Sequence, residues 1–534
     1  MKFVPVRVKP HILTGLLFLL IVTIFLCSRL YKIDQIPGSV YWDEASIGYN
    51  AYSILKTGSD EWGTFLPVHF KAFGEYKLPV YIYSVAFFES ILGLNVVAVR
   101  LPAVLFSLGS LIMIFLLSRK IFNDTKLALI VSFIFAISPW FFIFSRTGYE
   151  VTAGLFFMLL GIYLFFQYKR HPQFFISSAA SFLLAVYSYN SFRLLLPFVG
   201  MWLLLILIVN KRIYIRENLI YGLIAGIIFL VGCIPIAGLY LSSDGLERFN
   251  EVSIYHAGDS RSEALFTFGK NYLAHFDPFY LFLSGDSNLR SHTGGVGELY
   301  WFSLPFLLIG LLFCLRHRKL AHLFVLFLLL IAPIPAALTK ESPHALRSLF
   351  MIVPLSILTA IGIQAFCKKV RYARSSPPAK NHLLFAVLAI FLFLYSIYLS
   401  KYVTDFSVVS SQSWQGEYKQ LIDTYGESFV HYDHVVISDR YAQPYVFYLF
   451  YRQIDPTFYQ KNKILNVEPR IETSLVKSIG NVVFDDVILE KLPTGKLLIF
   501  AHPEEELKDV RLIQTIWNPD MSVAFYVYEY VNEN

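Results

Sequence analysis

Charged residues are scarce in this chain. Asp, Glu, Lys and Arg make up 16% of its 534 residues, against about a quarter in soluble domains. With 56% hydrophobic residues and a mean hydropathy of +0.55, the shortage excludes an ordinary soluble enzyme. One or two apolar segments would not produce that average; many spans of roughly 20 residues each are required. Cysteine is also rare. Cys27, Cys233, Cys314 and Cys367 all fall inside apolar segments, a pattern of buried thiols that predicts neither disulfides nor a zinc site. There is no solenoid-type repeat and no low-complexity tract. Alanine is sparse, and 50 Phe residues supply bulk for lipid-facing surfaces. The formal charge of +7 is explained by basic cytoplasmic loops, not by nucleic-acid binding.

The hydrophobic runs organise the chain. The basic start "MKFVPVRVKPH" precedes an apolar run from Ile12 to Cys27. No small-residue cleavage site follows it, so we expect a retained first span with its N-terminus in the cytoplasm. Further apolar segments centre near residues 87, 107, 135, 159, 181, 201, 230, 307, 329, 357 and 391. The connections "SRKIFNDTK", "QYKRHP", "NKRIYIREN", "RHRK" and "KKVRYARSSPPAK" are short and basic, as cytoplasmic loops are. The others are longer or acidic: 31–77, "SRTGYE", "YSYNSFR", 243–298 and "TKESPHALR". The two sets alternate only if one segment does not cross. The weak candidate is 78–94, with Pro79 and Glu89, which reads as an interfacial amphipathic helix. That leaves about 11 spans, with 12 or 13 as the alternatives, and puts the end of the chain outside the cytoplasm.

From about residue 401 the composition becomes that of a soluble domain. "GEYKQLIDTYGESF" and "PYVFYLFYRQ" read as helices; "HVVISD", "KLLIFAH" and "SVAFYVYEY" read as strands. The expected organisation is a membrane domain over 1–400, with outer loops at 31–97 and 243–298, and a small extracytoplasmic α/β domain over 401–534.

The chemistry-bearing residues gather in the outer loops. "YWDEASIGYN" places Asp43 and Glu44 among aromatics just before a helix expected over Ala45 to Leu55, where a negative charge is stabilised by the helix N-terminus. A terminal charge pair is the plain structural reading of these two. The same loop ends in "FGEYKLPVYIY", with Glu75 and Lys77. Arg146 stands at the outer end of a span with Glu150 four residues on, a spacing that also suits an ion pair. Arg193 ends "YSYNSFR", which contains Tyr189, and Arg347 follows His344 in "SPHALR". Outer loops are poor in arginine under the charge rule. Three arginines at outer helix ends therefore suggest a bound anion or a polar cavity. The run Ser291 to Gly297, with His292, is rich in glycine and could close as a lid. His256, His275, His292 and His344 include no pair at metal-ligand spacing.

Taken in order, these tracts resemble the GT-C superfamily of integral-membrane glycosyltransferases, in particular the protein O-mannosyltransferases and the lipid A aminoarabinose transferases. The resemblance runs from about residue 35 to residue 365. It rests on "WDEASIGYNA", "YKLPVYIY", "RLPAVLFSLGSLIMIFLLSRKIF", "SPWFFIFSRTGYEV" and "YSYNSFRLLLP". Two positions depart from the group's pattern: Leu78 stands between Lys77 and Pro79, and Glu150 stands where many relatives have Asp.

The resemblance implies a GT-C-like, α-helical polytopic fold and transfer of a monosaccharide from a polyprenyl-phosphate donor, with inversion, on the outer face of the cytoplasmic membrane. Such a reaction needs a base for the acceptor hydroxyl and cations for the departing phosphate. Asp43 is expected to be the base. Glu44, about 100° further round the helix, would orient it or bind an ion. Lys77, Arg146, Arg193 and Arg347 are expected at the donor phosphate, with Glu75, Glu150, Tyr189, His292 and His344 in support. The acceptor would be a protein, a lipid or a glycan. Some members of the group are helped by a divalent cation, for which this sequence offers no ligand set. A transporter or lipid flippase would instead place ionisable residues at mid-span and show two related halves. A non-catalytic relative of the same fold is the third reading.

Overall fold

Among the described residues, seven helices are long and apolar enough to cross a membrane: His11–Leu30, Val96–Phe122, Asn190–Val209, Arg216–Leu239, Leu320–Ala337, Leu349–Val370 and His382–Val409. Five shorter apolar helices accompany them, at Pro79–Leu92, Thr125–Ala136, Val151–Phe165, Phe174–Val186 and Trp301–His317. The computed structural model describes residues 10–73, 76–241, 252–255, 260–373, 382–467, 473–508 and 510–533. Glu75 and His256 therefore lie outside the described residues. The last long helix runs through residue 400 to Val409.

Local sequence signals set the helix boundaries. We label the first four helices α1 (Pro10–Leu30), α2 (Trp42–Thr57), α3 (Pro79–Leu92) and α4 (Val96–Phe122). Helix α2 carries Asp43 and Glu44 in its first turn and ends at Gly58, whose φ of +73° suits a residue without a Cβ. Pro79 opens α3 at a position where its missing N–H costs nothing. The 14 residues of α3 span about 21 Å, short of the roughly 30 Å hydrocarbon core. Asn95 caps α4, its side chain accepting from the Ala98 N–H at 2.9 Å.

Two buried arginines shape the irregular segment between α1 and α2. Arg100 donates to the carbonyls of Ile33, Pro37 and Ser39. Arg146 donates to those of Ser28, Tyr31, Lys32 and Ile36. Backbone carbonyls outside a helix or sheet must find donors when buried, and these guanidinium groups supply them. Glu44 balances Arg100 through paired contacts of 2.9 Å, and both side chains are fully buried.

The C-terminal region forms a seven-stranded sheet, in the order β4-β5-β6-β3-β7-β9-β8. Its strands are β3 (His434–Ile437), β4 (Lys463–Leu465), β5 (Val476–Ile479), β6 (Val482–Phe484), β7 (Gly495–Ala501), β8 (Arg511–Trp517) and β9 (Val523–Asn532); β1 (Phe70–Lys71) and β2 (Tyr76–Lys77) form a separate hairpin in the first outer loop. Strand β3 runs parallel to β6 and β7, and the remaining pairings are antiparallel. The helix Pro444–Tyr451 packs its buried face against α2, and one continuous apolar core contains residues of both. Gly48 marks the closest approach: a Cβ there would stand 2.6 Å from a ring carbon of Phe450 and 2.8 Å from Val99. The catalytic candidate Asp43 thus sits on a helix held between the membrane bundle and the C-terminal domain.

Candidate active site

A cavity of about 770 Å³ opens where α2, β2, the start of the Asn190–Val209 helix and the segments around residues 288–291 and 335–347 converge. Asp43, Lys77, Glu150, Tyr189, Arg193, His344 and Arg347 all line it. These residues, separated by up to 304 positions, share one wall system because five chain segments end at the same level of the bundle. The aromatic residues Tyr41, Trp42, Phe73, Tyr76 and Tyr149 complete much of the lining.

Asp43 and Lys77 are ion-paired. The lysine is buried at 3% side-chain exposure, whereas the aspartate keeps 27%, so the carboxylate remains open to the cavity. The β1–β2 hairpin presents Lys77 to α2, through register pairs Phe70–Lys77 and Lys71–Tyr76. Arg193 donates through Nε to the Val186 carbonyl at 3.1 Å. Arg347 donates to Thr339 Oγ1 at 2.9 Å and lies 3.8 Å from Glu341. His344 stands between two carboxylates, 3.8 Å from Asp286 and 3.5 Å from Glu341. Burial and the nearby Arg347 hold its imidazole well below the usual histidine range, which keeps it neutral at pH 7. Burial raises the Asp286 carboxyl, against hydrogen bonds from Ala345 and Asn288 N–H that favour its charged form.

Three expected site residues do not line the cavity. Glu44 is occupied by Arg100 and by the Gly148 N–H at 2.6 Å; it faces the interior of the loop packing, which corrects its placement with Asp43 in the reaction. Arg146 is 1% exposed and turned toward backbone carbonyls; its charge meets polar groups, as a buried guanidinium must, but they are peptide oxygens and not a cavity anion. His292 is likewise buried, its Nδ1 accepting from the Gly294 N–H and its ring packed under Gly285. The Ser291–Gly297 run touches the cavity through Ser291 alone.

One cation was missed. Arg290 lines the cavity, lies 5.9 Å from the Tyr41 ring centroid and 5.8 Å from that of Trp42, and forms no ion pair with a described residue. The signal was available: "GDSNLRSH" places an arginine in an outer loop, where the same charge rule singled out the others. Attention to helix ends passed over it. Among the described residues no group of three or more His, Cys, Asp or Glu is placed to hold a metal ion.

A second cavity of about 730 Å³ adjoins the first. It lies between the helices Phe174–Val186, Asn190–Val209 and Arg216–Gly232, and its lining, including Leu196, Leu203, Leu219 and Phe229, is almost wholly apolar. Arg193 and Ile236 line both cavities, so a charged chamber borders an apolar groove.

The fold has counterparts. Residues 77–238 match the family model described as dolichyl-phosphate-mannose-protein mannosyltransferase. No curated protein matches the sequence. Among solved structures, ArnT from Cupriavidus metallidurans bound to undecaprenyl phosphate is similar at a TM-score of 0.57 and 11% identity, covering 98% of this chain and 99% of that one. Its apo state is similar at a TM-score of 0.56 and 12% identity, with 98% of each chain covered. The chain has an ArnT-like GT-C fold. The archaeal oligosaccharyltransferase AglB from Archaeoglobus fulgidus, in complex with an inhibitory peptide and a dolichol-phosphate, aligns at a TM-score of 0.46 and 13% identity over 82% of this chain and 63% of that one. The match to ArnT bears out the architecture expected from the ordered motifs, and its coverage runs through the C-terminal sheet.

Proposed function

We propose that this chain is an integral-membrane glycosyltransferase that takes a monosaccharide from a polyprenyl-phosphate donor and delivers it to a hydroxyl acceptor at the outer face of the cytoplasmic membrane. The observation that carries the reading is the adjacency of two cavities: three carboxylates, Asp43, Glu150 and Glu341, and four cations, Lys77, Arg193, Arg290 and Arg347, line a chamber that shares Arg193 and Ile236 with an apolar groove. A polyprenyl phosphate has the same division, a charged head group on an apolar tail. Undecaprenyl phosphate is the ligand bound by ArnT, whose fold this chain shares.

Asp43 would accept the proton of the acceptor hydroxyl as its oxygen attacks the anomeric carbon. The bond from that carbon to the phosphate oxygen breaks, and its electron pair leaves with the phosphate. Lys77 and the three arginines are placed to offset the charge that grows on the leaving group, in a setting where charge stabilisation is strengthened by limited water. The Asp43–Lys77 pair holds the two groups together at rest, and donor phosphate would draw Lys77 toward itself and free the carboxylate. The aromatic lining offers flat faces to sugar rings. Inversion and the outer-face location follow the family resemblance and the loop charges.

The test uses purified protein in liposomes with undecaprenyl-phosphate-linked mannose, glucose and aminoarabinose, each carrying a radiolabelled sugar. Turnover of at least one, and its loss in Asp43→Asn with unchanged folding, supports the reading; full activity of Asp43→Asn rejects the base. Glycan analysis of a deletion strain identifies the acceptor. Reporter fusions at residues 375 and 450 test orientation, the first reporting inside and the second outside.

A further inference from the structure

Helix α2 begins without a cap of its own. Its N-cap residue, Tyr41, makes no side-chain hydrogen bond to the first turn, although the first N–H groups of a helix need acceptors. The acceptor for the Trp42 N–H is Gln415 Oε1, at 3.1 Å. Gln415 belongs to the turn that opens the C-terminal domain, 373 positions away. It is 8% exposed, and its amide nitrogen is anchored on the Tyr441 and Ala442 carbonyls. Its backbone has φ +48°, and Ala442 and Gln443 have φ +64° and +46°. Non-glycine residues in that region cost free energy and persist where surrounding structure enforces them.

The preceding residue reaches the segment that carries Arg290. Trp414, 1% exposed, donates through Nε1 to the Leu289 carbonyl at 3.3 Å. Its ring meets Tyr41 edge-on at 5.2 Å. The dipeptide Trp414–Gln415 is therefore bonded to the residue before Asp43 and to the residue before Arg290. Asp43 stands in the first turn of α2, and Arg290 on the segment around residues 288–291.

We infer that Trp414 and Gln415 are positioning residues for the transfer reaction: together they fix the separation of the candidate base Asp43 from the candidate phosphate ligand Arg290. This rests on the function proposed above. It gives the C-terminal domain a role in assembling the site, beyond any contact with an acceptor. Transfer reactions are sensitive to such spacing, because a displacement of about 1 Å can cost two orders of magnitude in rate.

The test compares Gln415→Ala, Gln415→Glu and Trp414→Phe in the full chain, reconstituted in liposomes, using whichever undecaprenyl-phosphate sugar of the panel the wild type turns over. Gln415→Ala is expected to lower kcat about 10- to 100-fold with the donor KM within twofold of wild type. Gln415→Glu keeps the acceptor for the Trp42 N–H but not the donor to the Tyr441 and Ala442 carbonyls, and is expected to recover only part of the loss. Trp414→Phe keeps the ring but not the donor to Leu289, and is expected to weaken binding of sugar-free undecaprenyl phosphate about fivefold, a readout that needs no turnover. Unchanged kcat in Gln415→Ala together with unchanged undecaprenyl phosphate binding in Trp414→Phe overturns the inference. So does a loss of activity that follows only the fraction of folded protein. The proposed function fails separately, through activity that survives Asp43→Asn.

Discussion

Asp43 and Lys77, 34 positions apart, form an ion pair at the wall of the cavity, with the lysine buried and the aspartate partly open. The pair joins the start of α2 to the β1–β2 hairpin. In the proposed reaction each group has its own task.

Separate roles predict separable kinetics. Asp43→Asn is expected to lower kcat by about two to four orders of magnitude, the usual contribution of a positioned base, while undecaprenyl phosphate still binds. Lys77→Met is expected to weaken that binding by tenfold or more. Titration calorimetry of both variants with undecaprenyl phosphate distinguishes them; loss of binding in Asp43→Asn and not in Lys77→Met would reverse the assignment.

Arginines that look alike in sequence should behave differently. Arg290→Ala is expected to weaken undecaprenyl phosphate binding with little change in thermal midpoint, since its guanidinium faces the cavity. Arg146→Ala strands the carbonyls of Ser28, Tyr31, Lys32 and Ile36, and unpaired buried groups cost about 1–3 kcal/mol each. Its expected signature is poor folding yield, read by size-exclusion chromatography in detergent.

Glu44→Gln removes the charge that balances the buried Arg100. Breaking a buried pair by removing one partner costs about 3–5 kcal/mol. We expect a lowered thermal midpoint, and activity per folded molecule close to wild type. A variant that is fully stable yet inactive would return Glu44 to the chemistry.

The contact between α2 and the C-terminal domain has a steric limit at Gly48. Gly48→Val would drive side-chain atoms into Phe450 and Val99, with an overpacking cost of about 1–3 kcal/mol. Limited proteolysis should then release the C-terminal domain faster than in wild type. Unchanged proteolysis would mean that the two parts separate more freely than their packing indicates.

Glu61 links the same two parts, accepting from Asn50 Nδ2 at 2.9 Å while its carbonyl accepts from Lys463. Burial raises its carboxyl from 4.5 to about 7. Below pH 4.5 the group is neutral in both folded and unfolded chains. Between 4.5 and about 7 the folded protein holds a proton that the unfolded chain has released, so stability falls as pH rises through this window and levels off above it. The full difference amounts to about 3 kcal/mol. Glu61→Gln should remove this slope and leave the variant more stable than wild type at pH 8, measured by thermal unfolding across pH.

Much of this protein was legible in the residues. Apolar runs and basic loops indicated the helical membrane architecture, and the short apolar runs in "HVVISD", "KLLIFAH" and "SVAFYVYEY" match β3, β7 and β9. The strands β4, β5, β6 and β8 were not anticipated. They are short or carry exposed side chains on both faces, so neither length nor periodicity distinguishes them from loop. Of the site, "WDEASIGYNA" and "YKLPVYIY" identified Asp43 and Lys77, which the structure places in contact.

The sequence by itself determined what must leave water and which charges remain at the membrane surface, because hydrophobicity and charge count are properties of each residue alone. It could not decide which of two neighbouring acids faces a cavity, or whether an arginine meets a ligand or a peptide carbonyl. Those outcomes depend on direction: one step along α2 turns a side chain from the chamber toward Arg100. Only the tertiary structure sets that direction, through a helix whose first turn is capped by a glutamine from the far end of the chain.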